Sequence, residues 1–147
     1  MLVKIKKLDP GAQIPRKSHG RDFCYDVYAV SQEQIAPNVW KYGLGFALQI
    51  DRKYWDGTTL YGIDFRPRSS VWKTGMVLSN CVGTVDEGYT GEISAVFYHV
   101  MPDMPRYKVG DRIGQIKLGS TVPMEFVEVD ELDATDRGSG GYGSTGE

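Results

Sequence analysis

Apolar and polar residues alternate along this chain in short runs, and helical spacing is almost absent. Leu44, Phe46, Leu48 and Ile50 alternate with Gly45, Ala47 and Gln49, which sets four apolar side chains on one face of a strand. Residues 2–5, 112–118 and 125–129 read as further strands, and residues 92–98 as one buried on both faces through much of its length. Turn chemistry separates these runs at Asp9-Pro10-Gly11, Asp56-Gly57, Asp86-Glu87-Gly88, Met101-Pro102-Asp103 and Gly110-Asp111. A single helical turn is expected over Val71-Trp72-Lys73-Thr74, capped by Ser69 or Ser70 and stopped by Gly75. Many short strands at this spacing predict an all-β sandwich, jelly roll or barrel.

Size and charge narrow the picture. A chain of 147 residues holds one domain, and at this length roughly 70% of the unfolded surface is buried on folding. No disulfide or structural metal is needed. The net charge of −2 and pI near 5.7 argue against a nucleic-acid or membrane-surface binder. Cys24 and Cys81 stand outside any CxxC pair, and His19 and His99 are too few for a His-based zinc site. The opening MLVKIKKLDP is charged throughout and does not read as a signal peptide, and no stretch is long enough to span a bilayer. These features predict a reduced, cytoplasmic protein.

The composition changes after Leu132. Residues 133–147 contain no Val, Ile, Leu, Phe or Met, and five of them are glycine. Such a segment cannot offset its own ordering entropy. The expected organisation is a β domain over residues 1–132 and a flexible C-terminal arm over 133–147. An arm carrying one Arg, one aromatic residue and a Ser-Thr pair among glycines suits anion capture and stacking on a flat ligand, though a frayed terminus has the same composition.

Four other segments carry candidate chemistry. Arg66-Pro67-Arg68-Ser69-Ser70 sets cations and hydroxyls at an apparent helix N-terminus, where a phosphate or merely a capped surface turn would fit. Residues 80–92 read as a hairpin whose open edge could pair with a base, with Asp86 at its turn either as a turn former or as the group that orients a water. Asp26, inside an alternating strand, belongs either on a solvated face or beside a metal ion. In the turn that opens residues 108–116, Asp111 and Arg112 suit a structural role, while Gln115 could reach a ligand.

In this order, the segments resemble the five sequence motifs of the trimeric dUTPases, as a bacterial or phage member of that family would. The likeness spans residues 22–146. Its strongest part is Arg137-Gly138-Ser139-Gly140-Gly141-Tyr142-Gly143-Ser144-Thr145-Gly146, with Tyr142 where Phe is more usual. Gly83-Thr84-Val85-Asp86 through Tyr89 to Gly91-Glu92 and Pro67-Arg68-Ser69-Ser70 follow. Gly114 stands where Ala is common, and Phe23-Cys24 replace a typical Ala-Gly ahead of Asp26.

The resemblance implies a distorted jelly roll or β-barrel with one short helix. It also implies Mg²⁺-dependent hydrolysis of dUTP to dUMP and pyrophosphate, limiting uracil in DNA and supplying dUMP for thymidylate. By that likeness, the backbone of Gly83, Thr84, Val85 and Asp86 reads uracil with help from Asn80. Tyr89 packs on the deoxyribose and excludes a 2′-OH. Asp86 holds the 3′-OH and orients the attacking water. Arg68, Ser69 and Gln115 hold the phosphates with Ser70 beside them, and Asp26 holds a hydrated Mg²⁺ through water. Arg137, Gly143, Ser144 and Thr145 belong to the arm that closes over the γ-phosphate, while Tyr142 stacks on the base. The implied assembly is a homotrimer with composite sites. Phosphoanhydride hydrolysis is largely positioning and charge neutralisation, so this residue set suffices chemically.

Rival readings fare worse. A dCTP deaminase needs a Glu on the strand after Gly91, where this chain has Val96, and it lacks the arm. A nucleotide-gated regulator would carry an inserted partner-binding domain, but only Val100 to Val109 lies between the relevant strands. A catalytically dead binding module is disfavoured because every expected functional side chain is present.

Overall fold

The computed structural model describes residues 1–54 and 56–141. Its strands are β1 (Val3–Lys7), β2 (Tyr25–Tyr28), β3 (Ser31–Ala36), β4 (Val39–Gly43), β5 (Phe46–Ile50), β6 (Leu60–Pro67), β7 (Met76–Leu78), β8 (Gly83–Asp86), β9 (Ser94–His99) and β10 (Arg112–Thr121). One four-stranded sheet has the order β2-β10-β6-β8 and another β3-β4-β9-β7, with β1 and β5 forming a separate two-stranded ladder. All pairings are antiparallel, and the sheets do not close into a barrel.

The core fills the space between the two larger sheets. Phe65 of β6 meets Phe97 of β9 edge-on at 6.3 Å, and Phe97 meets Tyr42 of β4 at 5.9 Å. Edge-to-face pairs add stabilisation beyond their buried area. The expected alternation in β5 is present: Leu44, Phe46, Leu48 and Ile50 are buried while Gln49 is exposed. Gly114 of β10 has a packing reason, because a Cβ there would overlap the buried Phe65 ring. The alanine common at this position in the resembling family would therefore not fit beside Phe65.

Three strand expectations need correction. Residues 125–129 form no strand; the chain leaves β10 at Thr121 and stays exposed, so the alternation there has no pairing partner within this protomer. Residues 80–92 are not a hairpin, because β8 pairs with β6 while β9 pairs with β4 and β7 in the other sheet. The segment is a crossover between sheets. β9 is not buried on both faces: Ala95, Phe97 and His99 face the core, whereas Tyr98 is exposed.

The helical turn at Val71–Thr74 is 3₁₀, and Ser70 occupies the N-cap without a side-chain capping bond. Four residues are too few for an α-helical dipole, so backbone bonds such as Val71 N–H to Arg68 O at 3.0 Å hold the turn instead. Gly75 ends it in the left-handed region at φ 62°, as expected.

Candidate active site

β10 organises the site because it pairs with β2 on one side and β6 on the other. Gln115 lies opposite both Asp26 of β2 and Arg66 of β6. Side chains directly opposite each other in a ladder share a face, so these three project from the same side of the sheet. Arg112 joins them from opposite Tyr28, although its odd spacing from Gln115 would place it on the other side of a regular strand. A register shift between Arg112 and Gly114 turns it over.

The result is a compact polar cluster. Ser18 Oγ and Arg112 Nη1 both donate to Asp26 Oδ2 at 2.7 Å, and Arg112 Nη1 also donates to Ser18 Oγ at 2.9 Å. Burial pushes the Asp26 carboxyl up. The hydrogen bonds from Ser18 and Arg112, with the charges of Arg112 and Arg68, outweigh burial and hold it below the ordinary carboxylate range. Arg68 follows β6, half-buried, and its Nη1 reaches Arg112 O at 3.5 Å. Gln115 Nε2 donates to Pro67 O at 3.4 Å. Ser69 is exposed and Ser70 half-buried at the start of the 3₁₀ turn. Neighbouring Lys117 and Arg66 are engaged by Asp64, at 2.9 and 3.4 Å.

Asp26 is placed to meet a metal only at arm's length. Its Oδ2 is taken by Ser18 and Arg112, and no group of three His, Cys, Asp or Glu side chains gathers to cage an ion among the described residues. Mg²⁺ characteristically keeps several waters and is held by one or two carboxylates plus substrate phosphates. One carboxylate held below the ordinary range, beside the arginine and glutamine expected to hold phosphates, fits a hydrated Mg²⁺ that would arrive on a triphosphate.

The strand expected to read a base, β8, stands at the opposite edge of the same sheet. β8 pairs with β6 through Phe65↔Gly83 to Gly62↔Asp86, so its outer edge has no ladder partner among the described residues. Beside it lies a cleft of about 170 Å³ lined by Phe65, Leu78, Asn80, Gly83, Val85 and Ala95, among others. The Asn80 amide sits over Gly83, 3.5 Å from where a Cβ would stand. Thr84 and Asp86 are exposed. Tyr89 is tied to the turn by its N–H to Asp86 O at 3.0 Å and by its hydroxyl to Glu92 O at 2.9 Å.

The structure thus gathers Asp26, Arg68, Ser69, Ser70 and Gln115 at one corner, and Asn80, Gly83, Thr84, Val85, Asp86 and Tyr89 at another. Arg137 joins neither: it is exposed, and its Nε donates to Gly140 O within its own turn at 3.0 Å. Tyr142, Gly143, Ser144 and Thr145 lie outside the described residues. Ser18 and the Asp26 contact of Arg112 escaped sequence reasoning. The bulge that brings Arg112 to this face has no marker in a one-dimensional pattern, and Ser18 sits in an irregular segment. Phe23 is largely exposed with Lys117 Nζ 5.7 Å from its ring centre, and the side-chain hydrogen bonds of Asp26 go to Ser18 and Arg112 rather than to Phe23 or Cys24.

A free β-edge beside a narrow cleft, with a cation, amide and carboxylate cluster on the outer face of the same sheet, is an arrangement suited to nucleotide binding and phosphate chemistry. The sequence profile of the dUTPase family matches residues 11–146. The deoxyuridine 5′-triphosphate nucleotidohydrolase of Helicobacter pylori is 35% identical, covering 99% of this chain and 97% of the relative. That of Nautilia profundicola is 34% identical over 99% of both chains. In fold, the chain is similar to a mutant Staphylococcus bacteriophage 80alpha dUTPase solved with dUpNHpp, at TM-score 0.81 and 22% identity over 99% of each chain. The chain belongs to the dUTPase family, and its enzymatic class is that of the dUTP diphosphatases.

Proposed function

We propose that the protein hydrolyses dUTP to dUMP and pyrophosphate with Mg²⁺, in sites shared between the subunits of a cytoplasmic homotrimer. The product would supply thymidylate synthesis, and removal of dUTP would keep uracil out of DNA. The observation that carries this reading is the polarity of β8 within its sheet. Gly83 lies level with Phe65 and Asp86 level with Gly62. A nucleotide with its base at Gly83 and its sugar at Asp86 therefore sends its phosphates away from the Arg66–Arg68 end of β6.

Distance points the same way. Asp86 and Asp26 are three strands apart and offset by the four residues from Gly62 to Arg66, a separation of roughly 20 Å at ordinary strand spacings. One protomer cannot offer both corners to one nucleotide, whereas neighbouring copies can. The exposed segment after β10 supplies a means of association. Val122, Met124, Phe126, Val127, Val129 and Leu132 are all exposed. A second cleft, about 450 Å³ and lined by Val3, Ile5, Leu48, Ile63, Ile116 and Leu118 among others, is mainly apolar and holds none of the candidate catalytic residues. It accepts that segment from a second copy.

Within such a site, Asp86 orients the attacking water and Arg68, Ser69 and Gln115 fix the phosphates in line with it. Mg²⁺, when bound, neutralises charge on the triphosphate. Asp26 positions the ion's hydration shell, held deprotonated by Ser18 and Arg112. Arg137, Tyr142, Gly143, Ser144 and Thr145, on the arm proposed for residues 133–147, complete the enclosure from a further subunit.

Pyrophosphate release is the test: rapid with dUTP, much slower with dTTP, dCTP and UTP, and abolished by a chelator. Equal rates on dCTP and dUTP, or full activity in excess chelator, would overturn the assignment.

A further inference from the structure

Tyr89 is held in place by two neighbours to which no role has been given. Its hydroxyl donates to the Glu92 carbonyl at 2.9 Å, so the side chain folds back across Gly91. A Cβ on Gly91 would stand 2.6 Å from Tyr89 Oη and 2.7 Å from Cζ. Those distances lie well inside van der Waals contact, so the ring rests where a residue-91 side chain would be. Gly91 is not among the glycines with positive φ. An alanine there meets no backbone penalty, and the Tyr89 ring is what it collides with.

Glu92 is in turn fastened to the body of the protein. Its Oε1 accepts the Gly45 N–H at 2.9 Å, where the chain passes from β4 to β5. The carboxylate, together with Ser31 Oγ, occupies the space that a side chain on Gly43 would need. The next residue bonds both ways to the same turn, Ile93 N–H to Phe46 O and Leu44 N–H to Ile93 O, each at 3.0 Å. Tyr89 itself is 49% exposed.

We propose that Gly91 and Glu92 are positioning residues that set the enzyme's discrimination between deoxyribose and ribose by fixing the Tyr89 ring. The proposal rests on the reading of Tyr89 as the surface that packs on the sugar. Rejecting one added hydroxyl by packing alone reaches only about 10²-fold. That margin depends on the ring standing within a fraction of an ångström of the sugar. Gly91 lets the ring lie down, and Glu92 holds its hydroxyl end to the β4–β5 turn.

The test compares kcat/KM for dUTP and for UTP in Gly91→Ala, Glu92→Ala and Glu92→Gln. Gly91→Ala is expected to lower the dUTP-to-UTP ratio by about tenfold, within the range such packing can supply. Glu92→Ala moves the ratio in the same direction. Glu92→Gln retains an oxygen acceptor for Gly45 N–H and restores most of the ratio. A purely structural role would lower thermal stability and both rates together, leaving the ratio where it was. If Gly91→Ala folds poorly, the Glu92 pair decides alone. A folded Gly91→Ala or Glu92→Ala enzyme with the wild-type ratio overturns the proposal. A wild-type enzyme that fails to prefer dUTP over UTP would instead overturn the reading of Tyr89.

Discussion

Replacing Asp86 by Asn lowers kcat for dUTP by about 10²- to 10⁴-fold, the usual contribution of a positioned acid–base group, while the nucleotide still binds. Asp86 is exposed at the end of β8, and its strand is held by backbone pairing to β6 rather than by the carboxylate. An isosteric change at such a surface position alters stability by no more than about 0.5 kcal/mol. The loss would therefore fall on the chemical step. Asn keeps the shape and one acceptor oxygen, so the sugar hydroxyl retains a partner, but it cannot take a proton from water. Single-turnover hydrolysis together with calorimetric titration of a non-hydrolysable dUTP analogue separates the two quantities. Near-normal turnover would remove Asp86 from the mechanism.

A comparable loss is expected from Phe126→Asp, at a position with no catalytic chemistry of its own. Phe126 is 87% exposed, within a run of apolar residues that no element of the protomer covers. Large exposed apolar patches mark association sites, and the apolar cleft bordered by β1 and β10 is the complementary surface proposed above. A carboxylate driven into that cleft would be desolvated without a counter-charge. The variant is expected to be monomeric by light scattering, and its kcat/KM to fall at least about 10²-fold, as when a preorganised charge-stabilising set is lost. Its own secondary structure should persist, because residue 126 contributes nothing to the core of the protomer. A fully active monomer, or an undisturbed trimer, would contradict this account of assembly.

These two residues also mark how far the sequence can be read. At Asp86 the residues alone offered a turn former or a water-orienting group, and only the resemblance of the whole segment to a family motif chose between them; the structure puts it exposed at the end of β8. The alternation in β5 was legible because one of its faces is buried against the core. The strand expected at residues 125–129 has the same alternation but no partner in its own chain. Alternation shows that a face is apolar, and not whether another element covers it.

β3 left no such signal. Ser31 to Ala36 is exposed throughout, and as an edge strand it is held by its ladder to β4 rather than by an apolar face. β6 was obscured by Gly62 and Asp64. The first has its missing side chain 3.1 Å from Val85 O, and the second pairs with Lys117 across the ladder. The apparent hairpin misled because turn residues followed by a strand look alike whether the chain folds back or crosses to another sheet. The structural role expected of Arg112 fits its bonds to Asp26 and Ser18, but those particular partners were not foreseen, because its face depends on a one-residue register shift.

The central claim is that one nucleotide is held by β8 of one subunit and by the Arg68 and Gln115 corner of another. Mixing two inactive enzymes tests it directly. Asp86→Asn and Arg68→Ala are each expected to release almost no pyrophosphate as homotrimers. Co-refolded together, they form mixed trimers in which some sites join an intact Asp86 to an intact Arg68. Random assembly in a cyclic trimer restores about a quarter of sites, and dUTP hydrolysis should recover to that fraction of wild type. Mixed trimers that stay as inactive as their parents would show that each site is built within a single chain.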